Sequence, residues 1–573
     1  MTNTPNKIFI YLLLLILSLS VGELNATRVN GEVSGEWTIQ GHPYDVMSDI
    51  VLRAGQELTI EAGVLIRFNS GTQFDVFGTL LANGTADDSI TFRANNGRVG
   101  DWSWLKFEGN GANQSVLAHC IIQHTDRGVR MLNSSPTIVN SRISHHSSTC
   151  FRLEGSRGTV RNCIITNSGG VGVIIKENSS PTFRNCTISQ HPDHGMAFRD
   201  NSGGVITGNS IFDVSDHGLS LSEAGSCSLA YNMISRCGQR AISVFQSNLT
   251  RAFRNIIFQN RGDYAVYLYR SESIDFINNT LTSNSGTGLA IINSSVNLVN
   301  NVVITNGQDG IFVQDANPNQ SSNCVWNNGR DDYAGIDPAN SDLNESPQLN
   351  QEYIPAEGSP VIDRGDNRYR DPDDTRSDIG ARFFNQNHPP EIQRFWPENV
   401  NEIQGDTEQE FGVEASDPEN HDITYIWLVN RVSSGDESVF NHIFTVDGNY
   451  DVSVILDDSF YEGRTVMNWS FSVIGSGVSL ESDGIAESYR LSSPYPNPFN
   501  GISQFSLYAH ALGVAEISLV DLNGRTIKTF HKGIIQKGQH LFSINSDDFP
   551  AGTFIIRATI NGRREHRKLV ILK

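Results

Sequence analysis

Residues 180–198, SPTFRNCTISQHPDHGMAF, and residues 273–291, SIDFINNTLTSNSGTGLAI, read as two copies of one unit. Between Leu117 and Asn328 the unit returns every 22 to 23 residues, a period that belongs to stacked structural repeats. One small or polar position recurs at Cys120, Ser141, Cys163, Cys186, Asn209, Asn232, Ile256, Asn279, Asn301 and Cys324. Three residues earlier stands Leu117, Ile138, Val160, Phe183, Ile206, Leu229, Phe253, Phe276 or Leu298, the content of one inward-facing column. Nine residues after most anchors a small residue marks a turn, as at Gly172, Gly195, Gly218, Ala241, Ala265, Gly288 and Gly310. Beyond it apolar residues alternate, as in Met196/Phe198 and Leu289/Ile291, and a period of two predicts strand rather than helix.

A unit of several short strands, each with one apolar face, cannot bury that face alone. It stacks on copies of itself, with like side chains in columns at strand spacing. The reading is a parallel β-solenoid in an all-β chain, with the Asn positions expected to hydrogen-bond up and down a buried ladder.

These two stretches resemble the right-handed parallel β-helix repeats of the pectin-lyase-like class, and the handedness is implied by that resemblance. Residues 54–92, AGQELTIEAGVLIRFNSGTQFDVFGTLLANGTADDSITF, resemble the first coils of secreted bacterial β-helix proteins. The open end of a solenoid exposes backbone and apolar side chains, so residues 27–50 are expected to cap it.

A solenoid grows lengthwise, which lets a 573-residue chain exceed the size of one ordinary core. A net charge of −21 argues against nucleic acid and anionic membrane as partners. Lys7, the apolar run Ile8 to Leu17 and the small residues up to Ala26 predict an export signal over residues 1–26, with no membrane span in the mature chain. Four of the seven cysteines, Cys120, Cys163, Cys186 and Cys324, fall on the anchor column. Parallel stacked Cβ vectors suit disulfides poorly, so buried thiols are expected.

Past Asn328 the units fade into ESPQLNQEYIPAEGSPVIDRGDNRYRDPDDTRSDIGA, which resembles the closing segment of such domains and completes a region spanning 27–385. Its carboxylates Asp371, Asp373, Asp374 and Asp378 are candidates to hold Ca²⁺, because clustered carboxylates supply hard oxygen ligands; a solvated acidic turn is the alternative. Residues 386–475 carry longer alternating strands, and EASDPENHDITYIWLVN and GNYDVSVILDD resemble PKD-like immunoglobulin-type modules, implying an Ig-like β-sandwich as a spacer. A Gly/Ser-rich acidic tether follows at 476–488. Residues 489–573 open on YPNPFN, carry Asn523-Gly524 and Asn561-Gly562 as type I′ hairpin turns, and end basic then apolar. They resemble the type A C-terminal sorting domain of the type IX secretion system. That implies a small C-terminal β-sandwich that engages the secretion machinery, and a protein secreted from, or displayed on, a Gram-negative bacterium.

Chemistry on a solenoid requires charges that converge on one column. Asp193-His194 and Asp216-His217 occupy the same two places in adjacent units, with Arg240 and Asp263 near equivalent places in the next two. Both pairs precede the turn glycine, where backbone geometry alone favours Asp. His145-His146 is a looser second pair. Tyr264, Tyr267 and Tyr269 offer rings for sugar contacts. The preferred reading is non-enzymatic binding of glycans or other extracellular ligands. The competing one is a carbohydrate-active enzyme, a polysaccharide lyase, hydrolase or epimerase, acting through the Asp/His column.

Overall fold

The computed structural model describes residues 26–476 and, between 489 and 571, every position except 493, 495–496, 498, 500, 510–512, 521–525, 547–548, 550–551 and 561–562. The export signal, the tether, both Asn-Gly turns and most of YPNPFN lie outside the described residues. The chain divides into two compact units. One runs to Asp371 and includes Thr375–Phe384; the other holds Pro372–Asp374 and everything from Asn385 onward.

Each regular coil of the first unit carries three short strands, for example Thr182–Arg184, Thr187–Ser189 and Met196–Phe198. Strands of the first kind stack into a thirteen-stranded parallel sheet from Gly35–Trp37 to Asn319–Ser321. Those of the second and third kinds form two parallel columns, joined into one 26-stranded sheet because the long strand Tyr44–Leu52 pairs with both. Residues 27–50, expected as a cap, contribute strands of the first coil, and Trp37 closes that end by stacking on Tyr44 at 4.7 Å.

Phe183, Ile206 and Leu229 pair in register and are wholly buried, each burial contributing about 1.5–3 kcal/mol. The next member is Ala252, not Phe253, because the interval of 23 residues is kept from Leu229 and the coil's additional residue enters only later, where Ile242 pairs with Val266, 24 residues on. A one-residue slip turns every side chain to the other face. Phe253 accordingly points outward, edge-on to Tyr231 at 5.6 Å, with the Arg251 guanidinium 4.0 Å above its ring.

The polar column also departs from the sequence reading at two places. It runs Asn209, Asn232, Asn255, Asn279, Asn301 and Asn323, with Asn255 in place of Ile256 and Asn323 in place of Cys324. In each, Nδ2 donates to Oδ1 of the next residue up, and that Oδ1 also takes the backbone N–H of the residue below. A second ladder, absent from the sequence reading, lines the turn after the second strand: Asn260, Asn284, Asn306 and Asn328. Lower in this column Cys237, His191 and His146 hold the place of Asn; the imidazole Nδ1 atoms accept the N–H of Ser168 and Thr125 as an amide oxygen would. All seven cysteines are free and buried.

At Gly195 an added Cβ would lie 2.7 Å from the Gly218 carbonyl oxygen and 2.9 Å from Ile211 Cγ2. Ala241 and Ala265 hold the same column farther along and are buried.

In the second unit, residues 391–474 form a three- and a five-stranded sheet around Phe411, Trp427, Phe444, Trp469 and Phe471. The pairing is antiparallel except for Glu402–Gln404, which runs parallel to Arg464–Ile474. The C-terminal region adds a three- and a four-stranded sheet, in which Gly513–Val520 pairs with Thr526–Ile535 and Gly552–Ile560 with Arg563–Ile571, the two hairpins the sequence implies.

Candidate functional site

The turn between the second and third strands brings Asp193, His194, Asp216, His217, Arg240 and Asp263 onto one edge of the solenoid. His194 and His217 stack with ring centres 5.1 Å apart and planes 5° from parallel. Nδ1 of His194 accepts the backbone N–H of His217 at 3.4 Å, and Nδ1 of His217 accepts that of Arg240 at 3.2 Å. A nitrogen that accepts carries no proton, so the neutral rings bear theirs on Nε2. Burial drives the His217 pKa down to about 4; Asp216 pulls it up, while His194 and Arg240 push it lower. One ligand atom each from Asp193, His194 and Asp216 lies within 4.8 Å of the others. Asp193 Oδ1 also takes the N–H of His194 at 2.8 Å.

One coil on, Arg240 grips Asp263 with two bonds, Nε to Oδ1 at 2.9 Å and Nη2 to Oδ2 at 2.8 Å, and this guanidinium holds the Asp263 carboxyl below its usual range. The same guanidinium lies 4.0 Å from the centre of the Tyr267 ring. Tyr264, Tyr267 and Tyr269 stand in a row at 5.3 and 5.9 Å, continued by Phe245 at 5.3 Å from Tyr269. Phe245 is 39 % exposed, and its partner on the preceding coil is only Ser222. Ala197, Ser220 and Ser243 succeed one another on the outward column before Tyr267, so small side chains floor the space between the imidazoles and the rings.

The opposite end of this sheet face holds a group that the sequence reading passed over. Lys106, Arg130 and Arg152 occupy one outward column, and Glu108, Leu132, Glu154 and Lys176 the next. Glu154 accepts from Arg130 at 2.9 Å, Arg152 at 2.9 Å and Lys176 at 3.0 Å. Burial pushes its pKa up, and Lys176, Arg152 and Arg130 more than reverse this, holding it at about 2. Lys176 also pairs with Glu177 at 2.8 Å, and Lys106 with Glu108 at 2.8 Å and Asp75 at 3.3 Å, so cations and carboxylates balance across this cluster. Its trace in the sequence is the recurring second residue of LKFE, VRML and FRLE, legible once these segments are set in register.

The acidic loop carboxylates serve separate partners. Asp371 pairs with Arg254 and accepts the N–H of Asp378 at 2.7 Å. Asp378 accepts from Asp363 at 2.8 Å and Phe384 at 2.7 Å, and burial raises its pKa to about 7. Asp373 accepts the N–H of Gln386 at 2.9 Å, and Asp374 sits at a positive φ of 63°. Of the second histidine pair, His145 is exposed, with Nδ1 at 3.1 Å from Ser144 Oγ, whereas His146 is buried in the inner column.

Residues 127–281 and 264–344 match the family model described as right handed beta helix region, and residues 493–572 match the secretion system C-terminal sorting domain. A chain with that sorting domain is exported by the type IX route, to the medium or the cell surface. Among the described residues no helix is long and apolar enough to cross a membrane. No curated protein matches the chain. Among solved structures, a mutant of the periplasmic alginate epimerase AlgG aligns at 13 % identity over 55 % of this chain and 83 % of its own, with a TM-score of 0.41. The A-module of the Azotobacter vinelandii mannuronan C-5 epimerase AlgE4 aligns at 12 % identity over 56 % and 91 %, with a TM-score of 0.32.

Proposed function

We propose that this chain, a right-handed β-helix protein carrying a secretion-system C-terminal sorting domain, holds a polysaccharide strand outside the cell without cleaving it. The observation that carries the reading is the row of rings ending in Phe245. One face of Phe245 packs on Tyr269, and the coil on its other side offers only Ser222, so an apolar ring face borders a floor of small residues. A sugar ring seats on such a platform through its C–H face, while the Tyr hydroxyls and the Arg240 guanidinium reach its oxygens. From Arg152 to Tyr267 the column advances five coils, roughly 24 Å at about 4.8 Å each, a length that suits an extended ligand.

Binding is preferred to turnover because the acid–base groups on this edge are already engaged. Nδ1 of each histidine holds a backbone N–H, and Asp263 is closed by Arg240. Asp193 and Asp216 stand on the same edge of the face, whereas a glycosidase needs its two carboxyls on either side of the scissile bond. The test is to run the mature chain against a panel of neutral and acidic polysaccharides, measuring retardation in affinity electrophoresis together with uronate absorbance and reducing ends. Retardation without products is expected. Product release that disappears in Asp193→Ala and Asp216→Ala would replace binding by lyase or hydrolase chemistry, and a changed ratio of uronate epimers by NMR would replace it by epimerase chemistry.

A further inference from the structure

The second unit contains a group of side chains remote from glycan chemistry. The segment SDPENHD, residues 416–422, leaves the strand Glu408–Ser416 and turns before Thr424–Val429. Asp417 Oδ1 shapes that turn by accepting the N–H of Glu419 and of His421, both at 2.9 Å. Its side chain is wholly buried, yet Oδ2 has no hydrogen-bond partner. His421 Nδ1, 3.5 Å from Asp417 Oδ1, is buried and equally without one. Leaving a buried carboxylate oxygen and a buried ring nitrogen both unpaired is unfavourable, most of all for the charged group.

Glu419 completes the group. Ligand atoms of Asp417, Glu419 and His421 lie within 4.8 Å of one another. His388 fixes the Glu419 carboxylate from the entry to the sandwich, with Nδ1 donating to Oε1 at 2.8 Å and its backbone N–H to Oε2 at 3.1 Å. Each carboxylate oxygen retains a second lone pair for an ion. Phe460 packs on the His421 ring at 4.2 Å and limits its rotation.

We propose that Asp417, Glu419 and His421 bind a zinc-class divalent cation, with His388 orienting Glu419 and water completing the shell. Two carboxylates and one imidazole form a donor set zinc accepts at about 2.0–2.2 Å, which for tetrahedral angles separates neighbouring donor atoms by about 3.4 Å. Asp417 would supply its unpaired Oδ2, since Oδ1 already holds two N–H groups, and the ligand atoms of the three residues, within 4.8 Å of one another, need only small side-chain rotations to reach that separation. Calcium prefers six or more oxygen donors, so the imidazole argues against it. The group Asp193, His194 and Asp216 differs, because its carboxylates are largely exposed and its imidazole already accepts a backbone N–H.

The experiment uses the mature full chain, stripped with chelator and titrated with Zn²⁺ against a chromophoric competitor, with Co²⁺ as a spectroscopic substitute. One equivalent is expected, with a Co²⁺ ligand-field spectrum of low symmetry. Asp417→Asn keeps the oxygen that shapes the turn but removes the charge; it and His421→Gln should each weaken binding about tenfold or more. Asp216→Asn should leave this site intact. Unchanged affinity in both the Asp417 and His421 variants would overturn the assignment, as would loss of the ion in Asp216→Asn alone, or thermal protection by Ca²⁺ but not by Zn²⁺. Should Asp417→Asn fail to fold by circular dichroism, His421→Gln on its partly exposed ring decides the matter.

Discussion

Asn232 donates from Nδ2 to Oδ1 of Asn255 at 2.9 Å, and the same oxygen receives the Asn232 backbone N–H at 3.0 Å. Asn255 in turn donates to the Leu229 carbonyl at 3.0 Å. One amide thus satisfies three buried groups on neighbouring coils, at a turn where the backbone has left the strand ladder. This relationship makes the column polar, although it is wrapped in apolar side chains.

Asn255→Ala should therefore be among the most destabilising single changes in the solenoid. It orphans the Asn232 N–H, the Asn232 amide and the Leu229 carbonyl, each costing about 1–3 kcal/mol when left unpaired. A drop in the urea midpoint is expected, smaller for Asn255→Ser, since Ser141 serves the same column. Equal midpoints for the alanine variant and the native chain would refute the ladder's energetic role.

Acid should weaken the solenoid through His146 and His191. Burial depresses their folded pKa values to about 3 and about 4, against an ordinary 6.5. Below pH 6.5 the unfolded chain binds protons that the folded chain refuses, so stability is full above pH 6.5 and falls as pH drops toward 4. Asp378 contributes with the opposite sign: its raised pKa favours the fold in acid, and that contribution is lost as pH rises through about 7. His146→Ser should flatten the fall of the urea midpoint between pH 6.5 and 4, and an unaltered slope would assign the effect elsewhere.

Phe245→Ala and Tyr269→Ala should each lower polysaccharide affinity about fivefold, from roughly 1 kcal/mol of ring contact, with thermal midpoints close to native. Arg240→Ala should do more, because it removes a donor and also frees Asp263 to repel acidic sugars. Calorimetry on the three variants, with circular dichroism as a folding control, measures both effects.

Removal of residues 489–573 should strand the protein in the periplasm, since the sorting domain matches 493–572. Fractionation followed by immunoblotting reads this directly. Export at native level would separate localisation from the tail.

Much of the fold is legible along the chain because a solenoid is nearly one-dimensional: each coil meets only its neighbours, so spacing in sequence becomes spacing in space. The Asp193-His194 and Asp216-His217 stack and the third-strand columns follow from counting, and the C-terminal hairpins from the Asn-Gly pairs. Counting stops at the coil with one additional residue. Where the chain absorbs it depends on which register lets Asn255 reach Asn232 and lets Ala252 fit beneath Leu229, a choice made by packing. The cluster around Glu154 needed the pairing of Lys106, Arg130 and Arg152 before its cations could be recognised as neighbours. Asp417 and His421 are four residues apart in the chain, yet only the folded turn, by burying both and leaving one atom of each unpaired, marks them as a pair with something still to bind. Periodicity is a local property, written in the order of residues. Burial, tautomer and unmet hydrogen bonds depend on what surrounds a group in three dimensions, so they belong to the tertiary structure alone.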